Sequence, residues 1–392
     1  MFGTMITKRA MRLSGAVLLF VFVTIGTGAL VVDNPAYGYS VDLPIGWVES
    51  RNSQPHHAGF LAPNIGAMMQ IITLDAELGS TGAEVARYIA DQVNARIGEP
   101  DRFSYQARSA AISEVAFLTG GVPVKGYVVG INDYRANYAI LAFASVDTYD
   151  RAQDSLLSAI DSFSIGAESR YYPGPISQFL YPWPIPEALS TPIPFVSHTL
   201  PFSVGPGEVR ATELVIDREA RILAPYGAQR HDVFSAAWRR YFRMIYRDNY
   251  IRLGPLAQEI GALFSAARVP RIDYPHELLA WMQTFEYTSP GGISNLQAPL
   301  STLTTGTGDC DSLALAYTII LHHLGIDAIV MLSDSYRHAL AAVDVPSPGA
   351  RFAFDDRKWL VAEFTADVPL GQIASNMADP KKWIGVQLRV TE

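Results

Sequence analysis

The segment Thr305-Gly306-Thr307-Gly308-Asp309-Cys310-Asp311-Ser312 holds the only cysteine of the chain. Two glycines interrupt it, and an apolar pattern follows on one helix face, running from Leu313 to Leu324 before Gly325. We therefore predict that Cys310 begins a buried helix that ends at Gly325. A helix N-terminus favours a thiolate and can stabilise an oxyanion, so Cys310 is a candidate nucleophile. The competing interpretation is a small buried hydrophobic residue.

Strand-like segments follow this predicted helix. Residues 326–332 form one, His338 opens a second that runs to Val343, and a hairpin around residues 355–357 leads into a third over residues 359–365. The chain order is thus cysteine, histidine, acid. A thiol nucleophile needs a base, and an imidazole base needs an acceptor that orients it. Each of these roles has a candidate.

These residues resemble the core of the transglutaminase-like superfamily, whose pattern is G-D-C, then H-A on a strand, then D-G-x-W and D-P-T. The matching segments are Gly308-Asp309-Cys310, His338-Ala339, Asp356-Arg357-Lys358-Trp359 and Glu363-Phe364-Thr365. The departures are Glu for Asp, Phe for Pro, and a longer connection through residues 346–349. The resemblance covers about residues 273–390. It implies a papain/transglutaminase-like α+β domain with Cys310, His338 and Glu363 as catalytic residues.

Several of these residues have a second interpretation. His338 could be a core histidine, and Glu363 could be an exposed strand residue with Asp356 as the acid. His322 and His323 are interpreted as packing or solvent-facing residues. Tyr287 and Gln297 are weaker candidates for an oxyanion donor.

The N-terminus has the pattern of an export signal or a membrane anchor. Lys8, Arg9 and Arg12 precede an uncharged apolar stretch over residues 13–32, and Asp33 follows it. We predict a signal peptide or anchor over residues 1–32, and both cleavage near Ala29 and retention as a membrane tether stay open. The protein is then exported, to the periplasm or the cell exterior.

Composition limits the classes of partner. Lys and Arg number 30 against 38 Asp and Glu, a formal charge of -8, so no nucleic-acid partner is expected. The 392 residues, 49% hydrophobic, suffice for two packed domains. A single cysteine permits no intramolecular disulfide. No metal-spaced His/Cys cluster or phosphate-binding glycine loop appears, so we assign no metal and no cofactor.

A proline-rich stretch over residues 167–207 divides the chain. It carries nine prolines between residues 172 and 206, interleaved with aromatic residues. Such a segment cannot be regular helix. We predict a linker that packs along a surface, the alternative being a ligand for a proline-recognition module.

Residues 33–166 precede this linker and alternate between strand and helix patterns. Strands are predicted over residues 67–74, 110–118, 125–131 and 135–146, with helices over 83–97 and 149–163. This order makes an α+β sandwich with one sheet face covered, and it resembles PsbP-like domains. The resemblance implies a non-enzymatic module that binds or positions an unknown protein partner.

Residues 208–392 hold the predicted catalytic domain and a helical segment before it. Residues 208–223 alternate weakly and predict a hairpin or a pair of short strands. The helix over residues 230–267 has arginines at 239, 240, 243 and 247, which we interpret as a solvated face, the alternative being a face toward anionic lipid.

Two hypotheses of function follow. In the first, an exported thiol enzyme transfers an acyl group at a carboxamide or peptide bond of a protein, peptide or cell-wall amide substrate. Hydrolysis, as by a cysteine peptidase or amidase, is favoured over cross-linking because water is abundant. In the second, the protein is a non-catalytic binding or assembly protein with a degenerate transglutaminase-like domain.

Overall fold

The computed structural model of the protein describes residues 29–182, 184, 188–227, 229–289, 291 and 295–389. The predicted signal peptide or anchor falls outside these residues up to position 28. Leu30 to Val32, which the prediction places in that segment, lie in the first strand. Among the described residues, no helix combines the length and apolar character that crossing a membrane requires.

The described residues form a mixed α and β structure, as the predicted α+β class requires. The helices are α1 (Gly82–Gln92), α2 (Tyr149–Asp161), α3 (Pro175–Leu180), α4 (Pro206–Leu223), α5 (His231–Ala266), α6 (Tyr274–Met282), α7 (Pro299–Thr305) and α8 (Cys310–His323). The strands are β1 (Leu30–Asn34), β2 (Tyr39–Leu43), β3 (Val48–Glu49), β4 (His57–Ala62), β5 (Ala67–Leu74), β6 (Asp101–Tyr105), β7 (Arg108–Thr119), β8 (Val122–Asn132), β9 (Asn137–Ser145), β10 (Ser164–Ile165), β11 (Leu189–Ser190), β12 (Ile193–Phe195), β13 (His198–Leu200), β14 (Ser203–Val204), β15 (Glu286–Tyr287), β16 (Thr307–Gly308), β17 (Ala328–Ser333), β18 (His338–Val343), β19 (Arg351–Phe354), β20 (Arg357–Ala362) and β21 (Ile384–Val386).

The described residues fall into two compact units. The first holds residues 48–103 and 108–156, and the second holds residues 29–47, 104–107 and 157–389. Strands β1, β2 and β10, which lie inside the predicted region 33–166, form a separate three-stranded sheet that groups with the second unit.

The first unit is built on a seven-stranded sheet with the order β3-β4-β5-β9-β8-β7-β6. Helix α1 begins at its cap Thr81, whose side chain accepts a hydrogen bond from Glu84 N, and packs Val85 and Ile89 against the sheet. Helix α1 approaches strand β8 closely because Gly130 of that strand has no side chain. A Cβ at Gly130 would lie 2.2 Å from Gly82 O of the helix. One sheet face is thus covered, as the alternating pattern predicts.

The second unit contains the five-stranded antiparallel sheet β19-β20-β18-β17-β21. Because strand side chains alternate between faces, Ala339, Ala341 and Val343 share one face, and they belong to the same buried cluster as α8 and α5. Leu340 and Ala342 face the opposite way, into a second cluster with Trp359 and Trp383. This packing fixes both α8 and the start of β18.

Residues 208–223 form most of helix α4, so the predicted hairpin is wrong. Pro206 occupies the first turn, where its missing N–H costs nothing, and the Glu208 carboxylate accepts a hydrogen bond from Gly205 N at 2.9 Å. The apolar periodicity of this helix is weak because Arg218 and Glu219 are buried in it.

The predicted solvated arginine face of α5 is also wrong. Arg240 and Arg247 are buried, and Arg240 pairs with the buried Glu219 at 2.6 Å. Arg243 bonds the Asp42 carboxylate at 2.7 and 2.9 Å. Charged side chains can face the interior here because each finds an opposite charge or a carbonyl oxygen.

The predicted linker contains short regular elements, including one helical segment, α3, which the prediction excluded; Pro175 lies in its first turn, where a missing N–H is tolerated. Helix α3 is followed by two small antiparallel pairs, β11 with β14 and β12 with β13. Phe195 in β12 packs on Trp281, their ring centroids 4.7 Å apart, and Trp281 Nε1 donates to Pro194 O at 2.9 Å. These contacts agree with the prediction that the aromatic residues of this segment pack along a surface.

Candidate active site

Cys310 is the first residue of α8. Asp309 caps this helix, because its Oδ1 accepts hydrogen bonds from Ser312 N at 2.9 Å and Ser312 Oγ at 2.5 Å. Gly306 ends α7 with a φ of 67°, a left-handed conformation that glycine adopts without strain. The thiol is therefore held at a helix N-terminus, and Cys310 is only 7% exposed.

The short strand before Cys310 pairs with the segment that follows α6. β15 and β16 run parallel with Tyr287 opposite Gly308, and Thr288 N donates to Gly308 O at 3.0 Å. This pairing places Tyr287 beside Cys310, and burial, followed by the charges of Cys310 and Asp309, raises the pKa of the Tyr287 phenol to about 12.

His338 and Glu363 meet across two neighbouring strands. His338 opens β18, and the pairing of Ala341 with Ala362 puts Glu363, one residue past the end of β20, near the start of β18. Their side chains are diagonal neighbours on one face of the sheet. His338 Nε2 lies 2.9 Å from Glu363 Oε2, which leaves Nδ1 for the thiol.

The Glu363 carboxylate is held by more than the histidine. Its Oε1 accepts hydrogen bonds from Thr365 N at 2.8 Å and Thr365 Oγ1 at 2.7 Å, and the residue is 3% exposed. Gln283 Nε2 lies within 2.9 Å of the carbonyl oxygens of Glu363, Ala366 and Val368. Phe364, at the position where the superfamily pattern has proline, packs edge-on against Tyr317 of α8.

The charges at the site act on one another. Burial alone would lower the pKa of His338, but hydrogen bonds to the Cys310 and Glu363 side chains and their charges raise that pKa to about 10. Burial alone would raise the pKa of Glu363, yet the hydrogen bonds and charge of His338 and the Thr365 donors hold it below its usual value. The raised pKa of His338 and the lowered pKa of Glu363 both favour an imidazolium that is paired with a carboxylate and faces the sulfur.

Two further side chains border this group. Trp383 meets the His338 ring edge-on, with centroids 6.3 Å apart, and its Nε1 donates to Met377 O at 2.8 Å. Asp311 is half-buried, and burial, followed by the charge of Asp309, raises its pKa to about 7.

The structure thus brings Cys310, His338 and Glu363 together. Asp356 lies instead in the exposed turn between β19 and β20 with a φ of 57°, away from this group. His322 is buried and bonds Tyr246 and Ala328, and His323 stacks on Tyr250, so both serve packing.

Gln283 and Trp383 were not singled out from the sequence. Gln283 was included in the predicted helix and its F-x-Y ending, but its role depends on a loop about 80 residues away. Trp383 lies in no predicted motif, and a bulky aromatic residue late in the chain is the only available signal.

The described residues contain no group of three or more His, Cys, Asp or Glu side chains suited to a metal ion.

No family model matches the chain, and no curated protein matches it. A solution structure of cyanobacterial PsbP from Synechocystis sp. PCC 6803 is similar over 38% of this chain and 98% of its own, at 13% identity and a TM-score of 0.29. A crystal structure from Bacteroides thetaiotaomicron VPI-5482 covers 85% of this chain and 89% of its own at 9% identity and a TM-score of 0.26. A Pseudomonas aeruginosa protein of unknown function, described as a putative regulator, covers 32% and 89% at 11% identity and a TM-score of 0.19.

For the predicted PsbP-like region the finding is therefore a weak structural likeness to one PsbP protein. No family match accompanies the transglutaminase-like prediction for the C-terminal part.

Proposed function

We propose that this protein is a thiol enzyme of the transglutaminase-like class that transfers an acyl group from a carboxamide or peptide through Cys310. The observation that carries the proposal is the arrangement of three side chains: Cys310 lies at a helix N-terminus, its charge acts on His338, and His338 Nε2 lies 2.9 Å from Glu363 Oε2. A thiol at that position next to an imidazole is an activated nucleophile.

The chemistry assigns one role to each side chain. His338 holds the proton taken from the thiol, and Glu363 stabilises that imidazolium and fixes which ring nitrogen faces the sulfur. The thiolate attacks the carbonyl carbon, and His338 gives the proton to the departing amine. Water then releases the acyl group with His338 as the base. An amine in place of water would give cross-linking.

Hydrolysis is the outcome we favour, as by a cysteine peptidase or amidase acting on a protein, peptide or cell-wall amide. Water is present at about 55 M in the periplasm or at the cell exterior, whereas an amine acceptor needs its own binding site. We propose export, with or without a membrane tether through residues 13–32, on the pattern of residues 1–32. The PsbP-like region would bind or position a protein partner.

A second candidate function is a non-catalytic binding or assembly protein. The observation that favours it is the burial of Cys310, whose thiol is covered rather than open to a substrate.

Mass spectrometry of the full chain after incubation with p-nitrophenyl acetate tests the proposal. Acetyl transfer to Cys310 that is absent in Cys310→Ser and strongly reduced in His338→Ala supports the enzyme. A protein that stays unmodified and releases no p-nitrophenolate at neutral pH, or a rate indifferent to His338, supports the binding protein.

A further inference from the structure

Two loops meet beside His338 at one end of the five-stranded sheet. One is the turn from β17 to β18, residues 334–337, and the other is the segment before β21, residues 379–383. Both lie at this end because the last residues of β17 pair with the first residues of β18 and of β21. Trp383 links the loops, since its ring centroid lies 6.3 Å from that of His338 and 5.6 Å from that of Tyr336. The two loops therefore form one wall next to His338.

This wall carries two exposed cations. Lys382 Nζ lies 4.9 Å from the centre of the Tyr336 ring, and Arg337 directly precedes His338. Among the described residues, neither Lys382 nor Arg337 has a carboxylate oxygen within 4 Å. The acids of the same loops are Asp334 and Asp379, and Asp379 Oδ1 accepts a backbone hydrogen bond at 3.0 Å within its own loop. Both positive charges thus stay available for a ligand.

Arg337 occupies a backbone position that favours glycine. Its φ is 50°, in the left-handed region, and its N–H donates to Asp334 O at 3.2 Å across the turn. A long side chain at such a position costs conformational energy, whereas glycine adopts it without strain. The turn itself therefore does not account for an arginine next to His338. Residues held in such conformations cluster at functional sites.

The direction of proton transfer decides which part of a substrate meets the wall. In the acyl transfer proposed above, His338 gives its proton to the departing amine, so the amine nitrogen lies within hydrogen-bonding distance of the imidazole. When the C–N bond breaks, its electron pair goes to that nitrogen, and the acyl group stays bonded to Cys310. The amine part leaves past His338. The cations beside this ring therefore face the leaving group rather than the acyl group.

We propose that Arg337 and Lys382 select substrates whose leaving amine carries a carboxylate. This inference rests on the acyl transfer proposed above and names its substrate class, an amide or peptide with a negative charge on the amine side of the bond that breaks. Two sources supply such a charge: the terminal carboxylate of the last residue of a peptide, or the side chain of an internal Asp or Glu. The chemistry at the wall is the same for both, a carboxylate paired with arginine and lysine.

Acetyl thioesters test this selection, because the acyl group stays the same while the leaving group changes. S-acetylthioglycolate carries its carboxylate one carbon from sulfur, the spacing in a terminal amino acid. S-acetyl-4-mercaptobutyrate carries it three carbons away, the spacing in a glutamate side chain. The carboxamide of each thioester is its neutral match. Mass spectrometry of the full chain follows acetylation of Cys310, and each acid-to-amide rate ratio is divided by the ratio measured with 2-mercaptoethanol.

In the parent at low salt, we expect this corrected ratio to reach about ten for one of the two pairs. A preference for the shorter acid assigns a terminal carboxylate, and one for the longer acid assigns an internal acidic residue. Lys382→Gln and Arg337→Gly should each lower the ratio about three- to fivefold and leave the amide rates unchanged. Salt at about 1 M should abolish the preference, because exposed charges are screened. Lys358→Gln, at an exposed lysine near the other end of the sheet, is the matched control.

A corrected ratio of one for both pairs, or a preference for the amides, would overturn the proposal. So would a preference that survives both Lys382→Gln and Arg337→Gly. Glycine suits the turn at least as well as arginine, and an unchanged melting temperature of Lys382→Gln shows that the fold is intact. If acetylation by p-nitrophenyl acetate is indifferent to His338, the proposed function fails and this inference falls with it. Acetylation that depends on His338, with equal corrected ratios, overturns this inference alone.

Discussion

His338 Nε2 and Glu363 Oε2 lie 2.9 Å apart, where β18 begins and the chain leaves the neighbouring strand β20. The pair exists because β18 begins where the chain leaves β20. It leaves the other ring nitrogen, Nδ1, for Cys310.

Glu363→Gln should lower the pKa of His338 from its value of about 10, because the amide accepts a hydrogen bond but carries no charge. Titration of the imidazole by NMR measures the shift directly, with acylation expected to fall by about 10²-fold or more. Glu277→Gln, at an exposed glutamate of α6, is the control and should change neither quantity. An unshifted His338 would mean that Glu363 does not act on it.

Gln283→Ala should loosen the loop that carries Glu363, because its amide is within hydrogen-bonding distance of three carbonyl oxygens of that loop. We expect a loss of about 1–3 kcal/mol in the free energy of unfolding and a several-fold slower acylation. Urea unfolding and p-nitrophenyl acetate measure the two effects. Gln372→Ala, at an exposed glutamine, provides the comparison; equal behaviour of the two variants would rule out this role.

His322 should make the protein less stable in acid. Burial, helped by the charge of Arg389, lowers its pKa from 6.5 to about 3, so the unfolded chain binds a proton that the folded chain excludes between these values. Stability contributed by the neutral ring is complete above about pH 6.5 and is lost as the pH falls toward 3. The slope in this window should be about 1.4 kcal/mol per pH unit smaller in His322→Gln than in the parent. Urea unfolding at several pH values checks this, with His198→Gln, at an exposed histidine, expected to keep the parent slope.

Asp161→Asn should destabilise the second unit by about 3–5 kcal/mol, because it leaves the buried Arg218 guanidinium short of one of its two carboxylate partners. Arg218 Nη2 lies 2.8 Å from Asp161 Oδ2, and both side chains are buried. The exposed pair of Arg210 and Glu213 offers a control: Glu213→Gln should cost less than about 1 kcal/mol. Similar losses in thermal or urea unfolding for the two variants would contradict the assigned difference.

The sequence predicts the parts of this site that depend on local pattern. Cys310 at a helix start and His338 at a strand start follow from glycine placement and apolar periodicity. The position of Glu363 is what the resemblance to the transglutaminase-like pattern implies, counted from Trp359. Contacts between distant segments do not follow in this way. Gln283, Trp383 and the pairing of Tyr287 with Gly308 depend on how separate elements meet.

Buried charge explains the two errors of secondary structure and exposure. The wrong hairpin over residues 208–223 and the wrong solvated face of α5 share one cause. Arg218, Glu219 and Arg240 are buried as mutual partners, so a charged residue does not mark the solvent side there, and a pattern of apolar residues alone misreads both helices.

The pH dependence of Cys310 alkylation by iodoacetamide in the parent and in His338→Ala tests most directly whether thiol and imidazole form an ion pair. The predicted result is a parent rate at pH 6 close to its rate at pH 8. In His338→Ala the rate should instead rise about tenfold per pH unit, as for an ordinary thiol half-ionised near pH 8.5. His198→Ala should behave like the parent. A parent rate that climbs tenfold per unit and matches that of His338→Ala would contradict the ion pair and the enzyme proposed from it.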